Sequence, residues 1–174
     1  MPIFKKGFRR HEPAFSDVKA LDSMHRFQVV LEFWRRLSRV KQIAFHVKSS
    51  AVHWKGTGEG EVTVQAQEKS LIFQEKGFWV SQEGKQVGFR NVLRWTLDKG
   101  AGFITLEHLR RGIEHPVFLF HLAPTSKNYL ASVDPHCCGD DTYFGCLFCD
   151  TDCLRLNWRI IGLRKNEEIE SYYS

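Results

Sequence analysis

Long uninterrupted runs of apolar residues are missing from this sequence, and their absence excludes two classes of protein. No segment approaches the ~20 consecutive apolar residues that a membrane-spanning helix requires. The basic N-terminal stretch MPIFKKGFRRHEPAF also lacks an apolar core long enough for a secretory signal peptide. We therefore expect a soluble, cytoplasmic protein without a membrane span.

Cysteine is absent from both ends of the chain, because all five cysteines fall between Cys137 and Cys153. A protein that is not secreted keeps its thiols reduced. The odd number and the crowding of these residues therefore argue against a disulfide framework.

Positive charge is scarce outside the N-terminal segment. The net charge is +5, yet residues 1–41 hold ten Lys and Arg against four Asp and Glu, whereas the remainder holds fifteen against sixteen. A domain that binds nucleic acid carries a basic face of its own, so specific nucleic-acid binding is not expected. The basic N-terminal segment is instead suited to dock onto an acidic protein partner.

Large apolar side chains, in contrast, are abundant. Hydrophobic residues make up 43% and aromatic residues 13% of the 174 residues, including fourteen Phe and five Trp. A chain of this length and composition can bury one sizeable core. We expect a single globular domain that is preceded by a basic irregular leader over residues 1–22.

An amphipathic helix is predicted over residues 23–40. Asp22 and Ser23 offer side-chain oxygens of the kind that cap a helix N-terminus. Apolar residues then recur at helical spacing: Met24, Phe27, Val30, Leu31, Trp34 and Leu37. This stripe is expected to pack on the β domain that follows.

From residue 41 onward the pattern alternates with a period of two, which indicates β-strands. Gly, Asp, Asn or Pro separates most of the segments, and no second helical pattern intervenes. The predicted strands are 41–48, 60–67, 70–76, 78–82, 87–97, 102–110, 116–122, 128–134, 142–149 and 153–162. We predict that residues 41–174 are mainly β and form an antiparallel up-and-down β-barrel, because closure leaves no unpaired edge.

The interior of such a barrel is either filled by side chains or able to hold one small ligand. In the segment 87–97 the apolar residues share a parity that also contains Asn91, whereas Arg90 and Arg94 have the opposite parity. Arginines that face the lumen would bind a carboxylate or phosphate head group, and arginines that face outward would form cross-strand ion pairs. The candidate ligand-binding residues are Arg90, Arg94, Trp95, Trp158 and Lys165.

Alternating glycines in the segment Trp54–Gly60 invite comparison with nucleotide-binding loops. A dinucleotide-binding loop lies between a strand and a helix, but a strand pattern follows here. A turn or a close-packed, bulged strand is therefore the better interpretation.

The segment 136–153 holds the densest chemistry of the chain. It contains residue types that bind zinc: His136, Cys137, Cys138, Cys146 and Cys149. The last two lie on a predicted strand, where residues three apart point to opposite faces. No metal site is therefore predicted, and Cys146 is interpreted as a small buried apolar residue. Cys149 and Cys153 flank a short turn, where oxidation could cross-link them.

Covalent catalysis is a second interpretation of the same segment. A Cys–His pair with a nearby carboxylate is the grouping that nucleophilic catalysis requires. The candidate catalytic residues are His136, Cys138, Asp141 and Tyr143. In the structural alternative, His136 and Asp141 form hydrogen bonds within the loop and hold Tyr143 in place.

The pattern HxCxxDxYxG over residues 136–145, followed by WRIIGLRKN over 158–166, resembles the C-terminal signature of the uncharacterised family DUF6314. The resemblance covers residues 41–173 and includes a Gly58-x-Gly60 strand and a turn at 73–77. It implies a lipocalin-like or calycin-like barrel and brings no assigned activity. Leu163 and Asn166 stand where the family usually has Pro and Asp. The positions that carry over are His136, Cys138, Asp141, Tyr143, Trp158, Gly162 and Lys165.

Three functions of different classes remain open. The first is a binding module for a small apolar or amphipathic molecule, with a haem-binding variant in which His121 or His136 is the axial ligand. The second is an enzyme at the barrel mouth, in which Asp141 orients His136 as acid or base and Cys138 or Tyr143 is nucleophile or donor. The third is an interaction module that docks the basic N-terminal segment onto an acidic protein. The pattern specifies no cofactor.

Overall fold

A computed structural model of the chain describes residues 23–49, 55–163 and 165–174, and for Cys138 it describes the backbone only. The leader predicted at residues 1–22 lies outside the described residues. So does the predicted capping residue Asp22.

The helix of the described chain, α1, spans Ser23–Leu37 and ends before the predicted boundary at residue 40. The N–H groups of Arg39 and Val40 bond to the carbonyls three residues back, at 3.0 and 3.3 Å, which is the tighter geometry found at helix ends. Met24 is 70% exposed, so the apolar face begins about one turn later than the spacing indicated. The buried side chains of α1 are Val29, Val30, Phe33 and Leu37.

Eleven strands follow α1 in the described residues. They are β1 Gln42–Ser49, β2 Gly56–Gln67, β3 Ser70–Ser81, β4 Gln86–Asp98, β5 Phe103–His108, β6 Val117–Ser126, β7 Tyr129–Ser132, β8 His136–Cys138, β9 Asp141–Cys149, β10 Leu154–Ile161 and β11 Asn166–Tyr173.

These strands form one antiparallel sheet that closes on itself. Each strand from β1 to β6 pairs with the next along the chain, and β9 pairs with both β7 and β10. Strand β11 lies between β10 and β1, while the three-residue β8 pairs with β9 outside the ring. The predicted antiparallel barrel with one N-terminal helix is thus confirmed, and the ring contains ten strands.

Gly77 lies within a strand, and its prediction as a turn is therefore wrong. It belongs to the continuous strand β3, which replaces the two predicted strands 70–76 and 78–82, and it lies directly opposite Gly60 of β2. A Cβ on Gly77 would overlap the carbonyl oxygen of Glu59. This glycine therefore permits two backbones to approach closely, which is a common use of glycine inside a strand.

Strand β11 has no counterpart among the predicted strands. Its sequence NEEIESYY gives it only two large inward apolar side chains, Ile169 and Tyr173, so its apolar alternation is weak. Pairing with β10 on one side and β1 on the other holds it in the sheet. Tertiary pairing therefore supplies what the local sequence pattern does not indicate.

Burial shows which parity faces the lumen. In β4, Leu93, Trp95 and Leu97 are buried, whereas Arg90 is exposed and Arg94 is partly exposed. The arginine parity is therefore the outer face of the barrel.

The two ends of the barrel differ. Helix α1 packs near β5 and β6, and Arg36 at its C-terminal end donates a 2.6 Å hydrogen bond to the Asp150 carbonyl in the β9–β10 turn. We call this end of the interior the closed half. Its inward side chains are Leu71, Phe73, Trp95, Leu97, Ile104, Leu122, Leu130, Leu147 and Leu154.

The loops that join β3 to β4, β5 to β6 and β10 to β11 lie at the other end. We call the interior on this side the open half. The open half contains the inward side chains between these loops and a boundary layer, which consists of Phe45, Glu75, Asn91 and Ser171.

Candidate ligand site inside the barrel

Buried polar side chains share one location in the described part of the chain. Each shares the parity of buried or half-buried apolar residues on its own strand, and so each faces the lumen. Along its strand, each of them lies toward the loops of the open end, so all of them belong to the open half. They are Ser49, Glu75, Ser81 and Ser171.

Glu75 is the ionisable member of this group, and it is 3% exposed. One carboxylate oxygen accepts a hydrogen bond of 2.7 Å from the hydroxyl of Tyr173. The other oxygen accepts a bond of 3.1 Å from the side-chain amide of Asn91. The three side chains come from β3, β4 and β11, so they connect distant parts of the ring across its interior.

Burial dominates the electrostatics of this triad. Desolvation raises the pKa of the Glu75 carboxyl, and the hydrogen bonds from Tyr173 and Asn91 offset this only in part. Burial and the neighbouring Glu75 together raise the pKa of Tyr173 well above its usual value. Among the described ion pairs, none involves Glu75. The carboxyl is therefore held by neutral donors alone.

Aromatic rings surround the triad. Phe73 lies on the closed side, with its ring centroid 5.7 Å from that of Tyr173 and 5.8 Å from that of Trp95. On the open side, Phe45 and Phe89 form a T-shaped pair with centroids 5.1 Å apart. Phe89 is the next inward residue after Asn91 in that direction, so the carboxyl lies between two layers of rings.

Glycines make room for these rings. A Cβ on Gly58 would overlap the ring of Phe45, and a Cβ on Gly56 would lie 2.6 Å from the indole nitrogen of Trp79. The alternating glycines of residues 56–60 therefore form a close-packed strand against aromatic side chains, which is one of the two alternatives that the sequence left open.

A cavity of about 610 Å³ opens beside the ends of β1, β2, β10 and β11. Its lining includes Val47 and Ser49 from the inward face of β1, whereas Lys48, Arg159, Asn166 and Glu168 have the outward parity of their strands. Phe45 is the next inward residue on β1 below Val47. The volume falls within the range of ~300–1,000 Å³ that is typical of small-molecule sites.

The family signature residues meet at the open end of the barrel. Lys165 donates a 2.8 Å hydrogen bond to the carboxylate of Asp141, and a Cβ on Gly162 would overlap that same carboxylate. The ring of His136 lies 4.9 Å from the ring of Phe118 and 6.2 Å from the ring of Tyr143. We call Asp141, Lys165, His136 and Tyr143 the mouth cluster.

The mouth cluster contains three of the four candidate catalytic residues. The backbone of the fourth, Cys138, pairs with Asp141 in the β8–β9 hairpin, but its side chain lies outside the described part. The contacts of Asp141 are with Lys165 and Gly162, and those of His136 are with aromatic rings. An orienting bond from Asp141 to His136 thus stays a prediction.

The predicted ligand-binding residues separate into three environments. Arg94 lies on the outer face, where its guanidinium is 2.6 Å from the Glu107 carboxylate, and Arg90 is exposed on the same face. Lys165 belongs to the mouth cluster. Trp95 is fully buried and Trp158 is half-buried on the inner face, and in the described structure neither buried indole N–H has a hydrogen-bond partner.

Three of the cysteines have thiols that are less acidic than an exposed thiol. Burial raises the pKa of Cys146, Cys149 and Cys153, and thiols with a raised pKa are poor nucleophiles. Cys146 is half-buried on the outer face, since its neighbours Gly145 and Leu147 are the buried residues of β9. Among the described side chains, no group of three His, Cys, Asp or Glu is placed to hold a metal ion.

Glu75 and Tyr173 do not appear among the candidates that the sequence suggests. A signal is present, because Glu75 has the same parity as Leu71 and Phe73 in an otherwise apolar strand. Asn91 gives a similar signal in β4. Such a polar residue on the apolar parity marks an interior polar site once the inward face is known.

No helix of the described residues is long and apolar enough to cross a membrane. Comparisons with curated proteins and with solved structures find no match. The lipocalin-like label therefore stays an expectation at the level of the fold. A family model described as "Family of unknown function (DUF6314)" matches residues 36–174, and it covers the whole barrel. The chain therefore belongs to the DUF6314 family, as its C-terminal signature predicted.

Proposed function

We propose that this protein is a binding module that takes up a small, largely apolar molecule in the open half of its barrel. The observation that carries the proposal is the position of Glu75, a buried carboxyl between aromatic layers on the side of the open end. Ligand sites in proteins are mostly apolar and contain a few well-placed polar groups. The open half has this composition.

Stability alone does not account for the polar group. A buried carboxyl loses its hydration, and replacing buried ionic groups by apolar residues of similar volume is often neutral or stabilising. The closed half shows that this sequence can fill a barrel interior with Leu, Phe, Ile and Trp. A buried carboxyl with a raised pKa that faces a concave interior is therefore a candidate functional group.

Two further features support uptake at this end. The cavity of about 610 Å³ lies beside the inward residues Val47 and Ser49. The indole N–H of Trp158 is buried without a protein acceptor in the described structure, and buried donors of this kind normally have a partner. A ligand that carries an acceptor would supply one.

The test is a titration of the full-length protein with N-phenyl-1-naphthylamine, a neutral apolar probe whose fluorescence rises on burial. We expect saturable binding of one probe per chain. Ser171→Leu adds volume to the open half and should weaken binding by about tenfold or more. Thr63→Leu, which adds the same side chain on the outer face of β2, is the matched control and should bind like the wild type.

Absence of saturable binding by the wild-type protein would overturn the proposal. So would equal effects of Ser171→Leu and Thr63→Leu. If Ser171→Leu does not fold, Ser81→Leu makes the same change nearer the rim. Near-ultraviolet circular dichroism checks the fold of each variant.

A second candidate is catalysis at the open end, favoured by the convergence of His136, Asp141 and Tyr143 in the mouth cluster. Hydrolysis of p-nitrophenyl acetate provides the simplest assay. Loss of turnover in a folded His136→Ala variant would support this function, and unchanged turnover would remove it. The third function, docking of the basic N-terminal segment onto an acidic protein, concerns residues mostly outside the described part and stays a prediction, as does the cytoplasmic location.

A further inference from the structure

Glu75 is a buried acid without a matching base. Its two hydrogen-bond partners, Tyr173 and Asn91, are both uncharged. The ion pairs of the described residues lie elsewhere, on the outer face, on α1 or at the rim. When Glu75 is ionised, no positively charged side chain among the described residues is paired with its negative charge.

An unbalanced carboxylate in an apolar interior is strongly destabilised, and either a proton or a cation relieves the cost. Each oxygen of Glu75 accepts one of the hydrogen bonds from Tyr173 and Asn91, and a carboxylate has about four lone-pair sites in total. The Glu75 carboxylate can therefore accept further hydrogen bonds, and it also lacks a positively charged partner. A ligand with a positively charged hydrogen-bond donor satisfies both requirements at once.

The rings around Glu75 favour the same chemistry. The faces of Phe, Tyr and Trp rings attract organic cations, and such contacts strengthen when water is excluded. Tyr173 belongs to the triad, and Phe89 is the inward residue next to Asn91 on β4. Phe45 contacts Phe89 and lies opposite Ser171, the inward residue next to Tyr173 on β11. Aromatic rings with a single carboxylate are a common way to recognise an amine.

Lys48 and Lys165, two of the positive groups at the open end, are paired with acids, whereas Arg159 donates a hydrogen bond to the neutral side-chain amide of Asn166. The Lys48 ammonium lies 3.8 Å from the Glu168 carboxylate and 4.0 Å from the Glu170 carboxylate. Lys165 is likewise paired with Asp141. Exposed pairs of this kind are further weakened by salt.

We propose that the ligand is an apolar molecule with a primary ammonium group, and that the ammonium binds the carboxylate of Glu75 between the aromatic layers. This inference rests on the proposed function, because it names the ligand class for the same interior site. The apolar body of the ligand extends toward the open end.

A matched series of probes tests the charge preference: decylammonium, decanol and decanoate, each titrated by calorimetry into the full-length protein below its critical micelle concentration. These probes share one apolar chain and differ in the charge of the head group. We expect decylammonium to bind about tenfold more tightly than decanol, and decanoate to bind most weakly, because a hydrogen bond between an ammonium and a carboxylate is stronger than one between neutral groups. Equal affinity for decanol, or a preference for decanoate, would overturn the inference.

Glu75→Gln locates the preference. This change keeps the size and the hydrogen-bonding ability of the side chain and removes its charge. The ratio of decylammonium affinity to decanol affinity should fall to near one in Glu75→Gln and stay at the wild-type value in Glu59→Gln, an exposed acid on the outer face of β2. If Glu75→Gln keeps the wild-type ratio, another group recognises the positive charge, and the assignment of the ammonium site to Glu75 is overturned.

The two proposals fail differently. If neither the naphthylamine probe nor any member of the series binds, uptake by the interior is wrong and the ammonium inference falls with it. If the neutral probes bind and charge makes no difference, the barrel binds ligands but the ammonium inference is wrong.

Discussion

The closed and open halves of this barrel are built from the same ten strands, yet they are filled in different ways. Leu, Phe, Trp and Ile fill the closed half, and α1 covers its end. The open half contains the buried polar side chains of the described residues, together with glycines that let aromatic rings approach the sheet. One end of the molecule thus supplies stability, while the other has the composition of a site.

The outer surface shows the same division. Most of the large apolar side chains that are exposed lie near or in the loops of the open end, whereas Met24 of α1 is the exception among them. The others are Phe78, Val80, Val87, Ile113, Val133, Ile161 and Leu163. The open end therefore exposes more large apolar side chains than the closed end does among the described residues.

The largest expected effect comes from breaking the closed half. Phe33→Ala removes a fully buried ring from α1 and should lower the free energy of unfolding by about 3–5 kcal/mol. Met24→Ala, on the exposed side of the same helix, should change it by less than about 0.5 kcal/mol. Urea denaturation measures both. Similar values for the two variants would show that α1 is not part of the core.

A smaller effect is expected at the boundary between the halves. Tyr173→Phe removes the hydroxyl that donates to Glu75 and leaves a buried acceptor with one donor fewer. We expect a loss of about 1–3 kcal/mol in the free energy of unfolding. Tyr172→Phe, on the outer face of the same strand, should cost less. A neutral result for Tyr173→Phe would mean that Glu75 finds another donor.

The pH dependence of stability sharpens the comparison further. Burial raises the pKa of Glu75 from its ordinary value of 4.5, so the folded protein holds this proton more tightly than the unfolded chain. The stabilisation is complete below the unfolded pKa and is lost as the pH rises through the folded pKa. Glu75→Gln has no proton to lose.

The free energy of unfolding of Glu75→Gln should therefore rise relative to that of the wild type as the pH increases above about 4.5. The relative gain is about 1.4 kcal/mol for each unit by which the folded pKa is raised. Denaturation curves at a series of pH values measure it, with Glu59→Gln as the control. Parallel profiles for the wild type and Glu75→Gln would contradict the burial of this acid.

The smallest effect is expected at the mouth cluster. The side chain of Lys165 is 50% exposed, and its pair with Asp141 lies in contact with solvent. Lys165→Met should change the free energy of unfolding by less than about 1 kcal/mol, and the change should shrink further at high salt. A loss as large as that of Tyr173→Phe would show that the open end also contributes to global stability.

Sequence alone predicted the architecture better than the site. Alternation identified most strands, and Leu93, Trp95 and Leu97 share the parity that proves to be buried. It did not identify β11. The glutamates of this strand weaken its apolar alternation, and pairing with β10 and β1 holds it in the sheet. Glu75 is not identified because the family resemblance places a turn at 73–77, although Glu75 shares the parity of Leu71 and Phe73 within the predicted strand 70–76.

The mouth cluster shows the reverse case. The family signature alone groups His136, Asp141, Tyr143 and Lys165, although Lys165 and Asp141 are 24 positions apart. Pairing of β9 with β10 places them at the same end of the sheet. Which of these side chains bond to one another depends on side-chain geometry, and no spacing rule predicts that.

The place of β11 between β10 and β1 makes closure of the ring depend on the C-terminal strand of the described chain. This strand follows all the others in sequence, and the ring has no complete hydrogen-bonding circuit until it inserts. Until then β1 and β10 present unpaired edges of the kind that promote association with other chains, and the Glu75 carboxyl has not met the Tyr173 hydroxyl. The insertion of β11 therefore both completes the ring and brings the Tyr173 hydroxyl to the buried Glu75 carboxyl.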